Sequence, residues 1–432
     1  MKLKIIVFIF LLIRFIYEQC LAYLTIKQRE LPLPEIVSNI YSKERYQSYI
    51  NYKKEYRKIT LGISILSLLI ESIFILSDFY TLFDNSNPYV SAALVILVTQ
   101  VINNLITVPL DYYATFSIEE RYGKNKKTKN EWLKDYVLNL LLEIVLNVVL
   151  FGFIIFVCTN IQKWTNNFNI TYLQSFIICL VLALILFIIM TLLSFLSLLV
   201  LRLQYKFTEM EDNDLRKQIE QFSKEAKKKV RHIKIYDESK KSTSKNAFLL
   251  KILWYREFGI ADNFLNENAT DELLAVLLHE IGHLKHKKNI YNYINYLSLA
   301  LVFLLLVYLL PNGQLVISIN NYINNCFNLQ YTNYILSLTV LSYVLTPLVF
   351  IKEVYSNYMS CLEEKEADFN AVDHGYGQAL INTFTKLSSD ELIDVNPHPI
   401  VELLTYNHPG MYNRISYIKQ RDDEYNNKKN KS

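Results

Sequence analysis

The sequence predicts an all-α polytopic membrane protein of about seven transmembrane helices with a small β element. Three observations carry that expectation. Hydrophobic residues make up 52% of the 432-residue chain, above the usual globular share, and they are gathered into blocks. About seven of these blocks are long and apolar enough for a bilayer core of about 30 Å, which takes roughly 20 helical residues. Lysine and arginine sort into alternate loops between them.

The spans are expected near 4–24, 60–82, 89–110, 136–158, 172–201, 290–311 and 333–351. The first has no small-residue cleavage site and reads as a retained helix, not a signal peptide. The loop 25–59 carries about eight Lys and Arg and the loop 111–135 about six, and 202–289 and the C-terminal tail are also basic. Loops 83–88 and 312–332 carry none, and 159–171 has only Lys163. Strict alternation of this kind requires an odd number of spans, with the large polar regions and the C-terminus cytosolic and the N-terminus on the other side. The net charge of +4 follows from the cytosolic excess. No nucleic-acid partner is implied, because the basic runs flank spans and do not interleave with stacking aromatics.

Along the chain, 1–201 holds five spans with basic loops, entered after the first span through Leu31-Pro32-Leu33-Pro34. A soluble insertion follows at 202–289. Within it a helix is expected over 212–229, a strand at 233–236, and an edge strand at 246–250 that can pair with 252–255. A further helix starts near Thr270, its expected N-cap, and runs through the histidines. Two spans occupy 290–351, a polar helical region 352–420, and a Lys/Asn/Asp-rich tail expected to be disordered 421–432. Asn169-Ile170-Thr171 is a sequon in a loop placed on the lumenal side. The five cysteines are an odd number without C-x-x-C pairing and read as apolar filler.

The chemistry centres on His279-Glu280-Ile281-Gly282-His283. Residues i and i+4 share a helix face, so both imidazoles can bind one Zn²⁺, with Glu280 placed to take a proton from the attacking water. Zinc lowers the pKa of water it binds from about 15.7 towards about 7. His286, in a basic run, reads as a surface residue. A third protein ligand is required. The next acidic cluster is Glu363-Glu364-Lys365-Glu366-Ala367-Asp368, in which Glu364 and Asp368 lie one turn apart and can divide the roles of ligand and hydrogen-bond support. Helix geometry alone does not choose among Glu363, Glu364 and Glu366. Asn407-His408-Pro409, followed by Arg414, adds a histidine able to stabilise an oxyanion or pass a proton to the leaving amine.

Together these motifs resemble the zinc-dependent CAAX prenyl endopeptidases, integral membrane proteases that process prenylated proteins. The resemblance runs through nearly the whole chain. Glu44-Arg45-Tyr46 echoes the family's first polar loop. Tyr113-Ala114-Thr115-Phe116, Ile118-Glu119-Glu120 and Gly123-Lys124-Asn125-Lys126-Lys127-Thr128 echo its second. Lys245-Asn246-Ala247-Phe248 is similar to its edge strand, Glu364 through Asp368 to its Glu-x-x-Ala-Asp helix, and His408 through Arg414 to its His-Pro-x-x-x-x-Arg element. The chain departs where Lys124 replaces the usual Phe, where Ser244-Lys245 replaces His-Ser, and at His398, which has no assigned counterpart.

The resemblance implies seven helices enclosing a water-filled chamber, with one Zn²⁺ inside its cytosolic end held by His279, His283 and Glu364. It implies Glu280 and His408 as catalytic, and Asp368, Asn246, Ala247 and Arg414 as supporting or substrate-binding. The substrate, a prenylated C-terminal peptide, would lie as a strand against Asn246-Ala247-Phe248 and lose its last three residues. A monomer in the lipid of the endoplasmic reticulum membrane is expected. Alternatives are a quality-control zinc protease cutting damaged membrane proteins, or a non-catalytic chamber protein binding prenylated or stalled chains. An intramembrane protease fits less well, because charged residues flank the histidine helix and no Leu-Asp-Gly partner exists.

Overall fold

The computed structural model describes residues 2–167, 172–226, 230, 232–252, 255–285 and 314–430. Its elements in order are α1 (Lys2–Arg29), α2 (Glu35–Ser38), α3 (Lys43–Leu76), α4 (Pro88–Tyr113), α5 (Lys129–Asn167) and α6 (Tyr172–Gln204), then the insertion. The insertion holds β1 (Phe207–Glu209), α7 (Asp214–Glu225), β2 (His232–Tyr236), β3 (Ala247–Ile252), β4 (Tyr255–Ala261), α8 (Asp262–Glu267) and α9 (Thr270–Lys285). After it come α10 (Gln314–Cys326), α11 (Tyr334–Val344), α12 (Thr346–Asp373), α13 (Gly377–Glu391), α14 (Pro399–Thr405) and α15 (Met411–Lys429).

Among the described residues, five helices are long and apolar enough to cross a membrane: Lys2–Arg29, Lys43–Leu76, Pro88–Glu119, Lys129–Asn160 and Leu180–Gln204. α11 and α12 pass that test together as a pair bent by 63°. Pro347 sits in the first turn after the break, where a missing N–H costs least. The expected span 290–311 lies outside the described residues, as do His286 and the sequon. The second span ends earlier than expected: α3 stops at Leu76, and Asp78 just beyond it is tied to Lys4 of α1 by a 3.2 Å ion pair. Inside the bundle, a cavity of about 300 Å³ is lined by Glu71, Asn103 and Tyr343 among mostly apolar side chains of α3, α4 and α11. Glu71 accepts a 2.5 Å hydrogen bond from the Tyr343 hydroxyl there.

The insertion forms a four-stranded sheet in the order β1-β2-β4-β3. β1 and β2 are antiparallel, β2 and β4 parallel, and β4 and β3 antiparallel. Thus β3 is an edge strand. Its partner begins at Tyr255, later than the expected 252–255, and Ile252 itself belongs to β3, where it pairs with Tyr255. β1 gave no sequence signal, being only three residues long. The expected helix 212–229 is α7, capped by the Asn213 side chain, which accepts from the Arg216 amide at 2.9 Å.

α9 lies between two layers. Leu273, Leu277 and Ile281 pack in one core with Phe258, Ile260 and Ile233 of the sheet. Ala275 and Leu278 pack in another with Ala371 and Val372 of α12, Leu380 and Phe384 of α13, and Ile415 and Ile418 of α15. The two apolar stripes follow the helical period and leave the histidine face towards α12. Fully burying a side chain such as Leu278 stabilises the fold by about 1.5–3 kcal/mol.

The tail expected to be disordered is instead helical through Lys429. It continues α15, whose first half is buried through Arg414, Ile415 and Ile418, and Arg421 then grips Asp373 at 3.0 Å and 3.2 Å. Packing of the first turns propagates the helix into a sequence that would not fold alone.

Candidate metal centre

α9 starts at Thr270 itself, with the Ala269 carbonyl accepting the first backbone bonds, so Thr270 lies inside the helix and is not its cap. Two turns on, His279 and His283 bring their Nε2 atoms to 3.2 Å. Glu364, on α12, joins them: Oε1 is 3.2 Å from His283 Nε2 and Oε2 is 3.4 Å from His279 Nε2. All three side chains offer a ligand atom within 4.8 Å of one another. Glu363 and Glu366 are not in this group.

The residues fit a zinc ion. Tetrahedral zinc holds nitrogen and oxygen at about 2.0–2.1 Å, which sets neighbouring ligand atoms about 3.3 Å apart. The observed spacings of 3.2, 3.2 and 3.4 Å match that figure. Glu364 Oε2 is buried without a hydrogen bond among the described residues, an arrangement a cation relieves. His279 presents Nε2 because its Nδ1 lies 2.8 Å from Asp368 Oδ1. A carboxylate behind a ligand imidazole fixes the ring and raises its basicity.

Asp368 is fully buried and receives four groups. Arg414 donates to it from Nε at 2.9 Å and Nη2 at 2.6 Å, and the Tyr417 hydroxyl donates at 2.7 Å. Such forked pairing suits a carboxylate held out of water. Arg414 also stacks its guanidinium 4.1 Å from the centre of the Phe384 ring. Burial works against a charged His279, but the Asp368 hydrogen bond and charge outweigh it and lift the imidazole to about 9 before any metal competes for it. Arg414 is held above its ordinary range: burial opposes the charge and Asp368 over-compensates. Tyr417 had no motif to mark it. Its position three residues after Arg414 in α15 brings it to Asp368 only once α15 has packed on α12.

Glu280 lies between the two imidazoles and the edge strand β3 of the sheet. Burial raises its carboxyl above the usual range, opposed by the two imidazoles and by a hydrogen bond from the Leu249 backbone. The edge strand therefore runs beside Glu280. Asn246 and Ala247 sit at its start: the Asn246 carbonyl accepts from Ala261 N at 2.9 Å, and Ala247 pairs with Ile260. His408 reaches the centre from the segment between α14 and α15, its Nε2 3.2 Å from Glu364 Oε1. His398 serves locally, capping α14 by accepting from the Ile400 amide at 3.2 Å.

Three basic residues from separate motifs converge on the last turn of α13. Arg45 donates to the Ser389 and Asp390 carbonyls at 2.9 and 2.8 Å. Lys124 binds the Glu391 carbonyl at 2.9 Å and its carboxylate at 2.8 Å, and Lys245 reaches Asp390 at 3.0 Å. A helix C-terminus offers unpaired carbonyls and negative partial charge, so cations gather there. The two polar loops and the edge strand are thereby tied to the helix that packs beneath α9. Lys124 and Lys245 are positions where the chain departs from the pattern it resembles, and both side chains serve this junction.

Two family models match the chain in succession: "CAAX prenyl protease N-terminal, five membrane helices" over residues 22–207, and "Peptidase family M48" over 209–422. Among curated relatives, the probable CAAX prenyl protease 1 of Schizosaccharomyces pombe is 27% identical, over 92% of this chain and 84% of its own. The CAAX prenyl protease 1 of Saccharomyces cerevisiae is 25% identical, over 96% of this chain and 95% of its own. The crystal structure of S. mikatae Ste24p has the same fold, with a TM-score of 0.77 over 97% of this chain and 99% of that one, at 24% identity. A zinc-type ligand triad on α9 and α12 thus stands in a multi-pass membrane chain matched almost end to end, and the chain belongs to the CAAX prenyl proteases of peptidase family M48.

Proposed function

We propose that this membrane zinc metalloendopeptidase removes the C-terminal tripeptide of prenylated CAAX proteins, with His279, His283 and Glu364 as ligands and Glu280 as general base. The observation that carries the reading is the 3.2–3.4 Å spacing of the three ligand atoms beside Glu280. Zinc, when bound, acidifies water and polarises the scissile carbonyl. Glu280 accepts the proton of the attacking water, its position held by the backbone of the edge strand. His408 reaches the centre beside Glu364 and hydrogen-bonds the oxygen on which charge develops. Asp368 orients His279, and Arg414 with Tyr417 keeps Asp368 charged and fixed.

The substrate lies as an added strand along β3 from Asn246 and Ala247 onward, in reach of Glu280. Prenylated C-termini are made in the cytosol, and the alternation of basic loops puts the C-terminus and the zinc domain on that side. The endoplasmic reticulum membrane is the corresponding site of action, with the chain working as a monomer surrounded by lipid.

The test is purified protein in detergent with a farnesylated C-terminal peptide, following tripeptide release, with Glu280→Gln and a zinc chelator alongside. Release that both controls abolish establishes the reading. Cleavage of an unprenylated unfolded membrane protein, with the farnesylated peptide left intact, refutes it in favour of quality control.

A further inference from the structure

We infer that Asn407 is a positioning residue of the reaction: its side-chain carbonyl holds the His408 imidazole so that Nε2 faces the metal centre. The inference rests on the role given to His408 above.

The His408 side chain is 55% exposed, so packing does not fix its ring. The backbone around it is fixed. Glu402, on α14, accepts from the Gly410 amide at 2.7 Å and from Asn413 Nδ2 at 2.8 Å. On the other side the Tyr406 amide donates to the Glu402 carbonyl at 3.0 Å, and the Tyr406 carbonyl accepts from Cys361 Sγ at 3.4 Å. Gly410 itself is wedged on Pro397: a Cβ there would lie 2.7 Å from Pro397 Cγ. What remains free is the rotation of the imidazole about its own bonds, a torsion with broad, roughly two-fold preference.

Asn407 removes that freedom. Its Oδ1 lies 2.8 Å from His408 Nδ1, while Nε2 at the far edge of the ring lies 3.2 Å from Glu364 Oε1. An amide oxygen only accepts, so Nδ1 carries the proton and Nε2 is the edge presented to the reaction. The ring is thus held with its Nε2 edge turned towards the oxygen on which charge develops. Had Asn407 offered its NH₂ group, Nδ1 would be the acceptor and Nε2 a neutral donor.

Zinc-loaded full-length Asn407→Ala, Asn407→Asp, His408→Ala and the Asn407→Ala/His408→Ala double variant are compared on a farnesylated peptide. Supporting parts commonly change activity about 10–100-fold. Asn407→Ala is expected to lower kcat by about 10-fold, with KM and zinc content unchanged. Asn407→Asp, which keeps an acceptor in place, restores turnover, and the double variant is no slower than His408→Ala. Asn407→Ala with wild-type kcat beside an impaired His408→Ala overturns this inference alone. Equal loss in Asn407→Asp and Asn407→Ala also overturns it, since an amide donor would then be the active group. Wild-type turnover in His408→Ala overturns both this inference and the role of His408.

Discussion

Gly282 packs directly on Ala367: a Cβ at residue 282 would lie 2.7 Å from the Ala367 Cα and 3.1 Å from its carbonyl oxygen. Gly282 precedes the ligand His283, and Ala367 lies between Glu364 and Asp368. The contact therefore sets the distance across which α9 and α12 share a metal. Asn370 fastens the same crossing, its amide donating to the buried Leu278 carbonyl at 2.6 Å.

Gly282→Ala is accordingly expected to push α9 and α12 apart and weaken zinc binding before it unfolds the chain. Overpacking of a tight contact costs about 1–3 kcal/mol. Zinc content after dialysis and the thermal midpoint measure the two effects. Retained zinc affinity at an unchanged midpoint would show that the helix pair has slack at this point.

Glu280→Gln removes the proton acceptor but keeps the shape and the ligands. Turnover should fall about 10²–10⁴-fold, the usual share of general acid–base catalysis. Zinc stoichiometry by metal analysis should stay at the wild-type value. Loss of metal together with activity would instead make Glu280 a structural part of the site.

Arg414→Ala leaves Asp368 charged and buried without its forked partner, a change that costs about 3–5 kcal/mol. Arg414→Lys supplies charge but not the fork, and should recover only part of the loss. Asp368→Asn is expected to reduce zinc affinity by about 10–100-fold, because the support behind His279 Nδ1 is neutralised. Competition with a chromogenic chelator reads that affinity directly.

Removing zinc should abolish cleavage and also lower the thermal midpoint, since a ligand that binds the folded state alone stabilises it by mass action. At free zinc about 100-fold above its dissociation constant the contribution is about 2.7 kcal/mol. Restoring zinc should return both. A midpoint that does not respond would mean that α9 and α12 hold together without the metal.

Lys124 and Glu391 should couple in a double-mutant cycle on thermal stability. Their side chains are 13% and 16% exposed, so the pair is better shielded than a surface ion pair. A coupling of about 1 kcal/mol is expected, at the upper end of the range for exposed pairs. Zero coupling would assign the junction to Arg45 and its backbone carbonyls.

Some of this protein was legible before any fold was known. Membrane spans depend on local composition and charge, and His279, Glu280 and His283 share one helix, so a period of 3.6 residues puts both histidines on one face. Nothing local chose Glu364 over Glu363 and Glu366, which occupy the same helix and carry the same group. That choice comes from the rotation of α12 about its axis, set where Gly282 meets Ala367. Asp368 meets Arg414 across 46 residues, and Lys124 meets Glu391 across 267. The tail looked disordered because its composition is polar, yet α15 is held by partners far away in the chain. The sequence by itself determined the five N-terminal membrane helices and the histidine pair, because each follows from near neighbours. The resemblance already pointed to Glu364, Asp368 and Arg414, and only the tertiary structure decided the Tyr417 contact to Asp368 and the clamp on α13, because those depend on how helices cross.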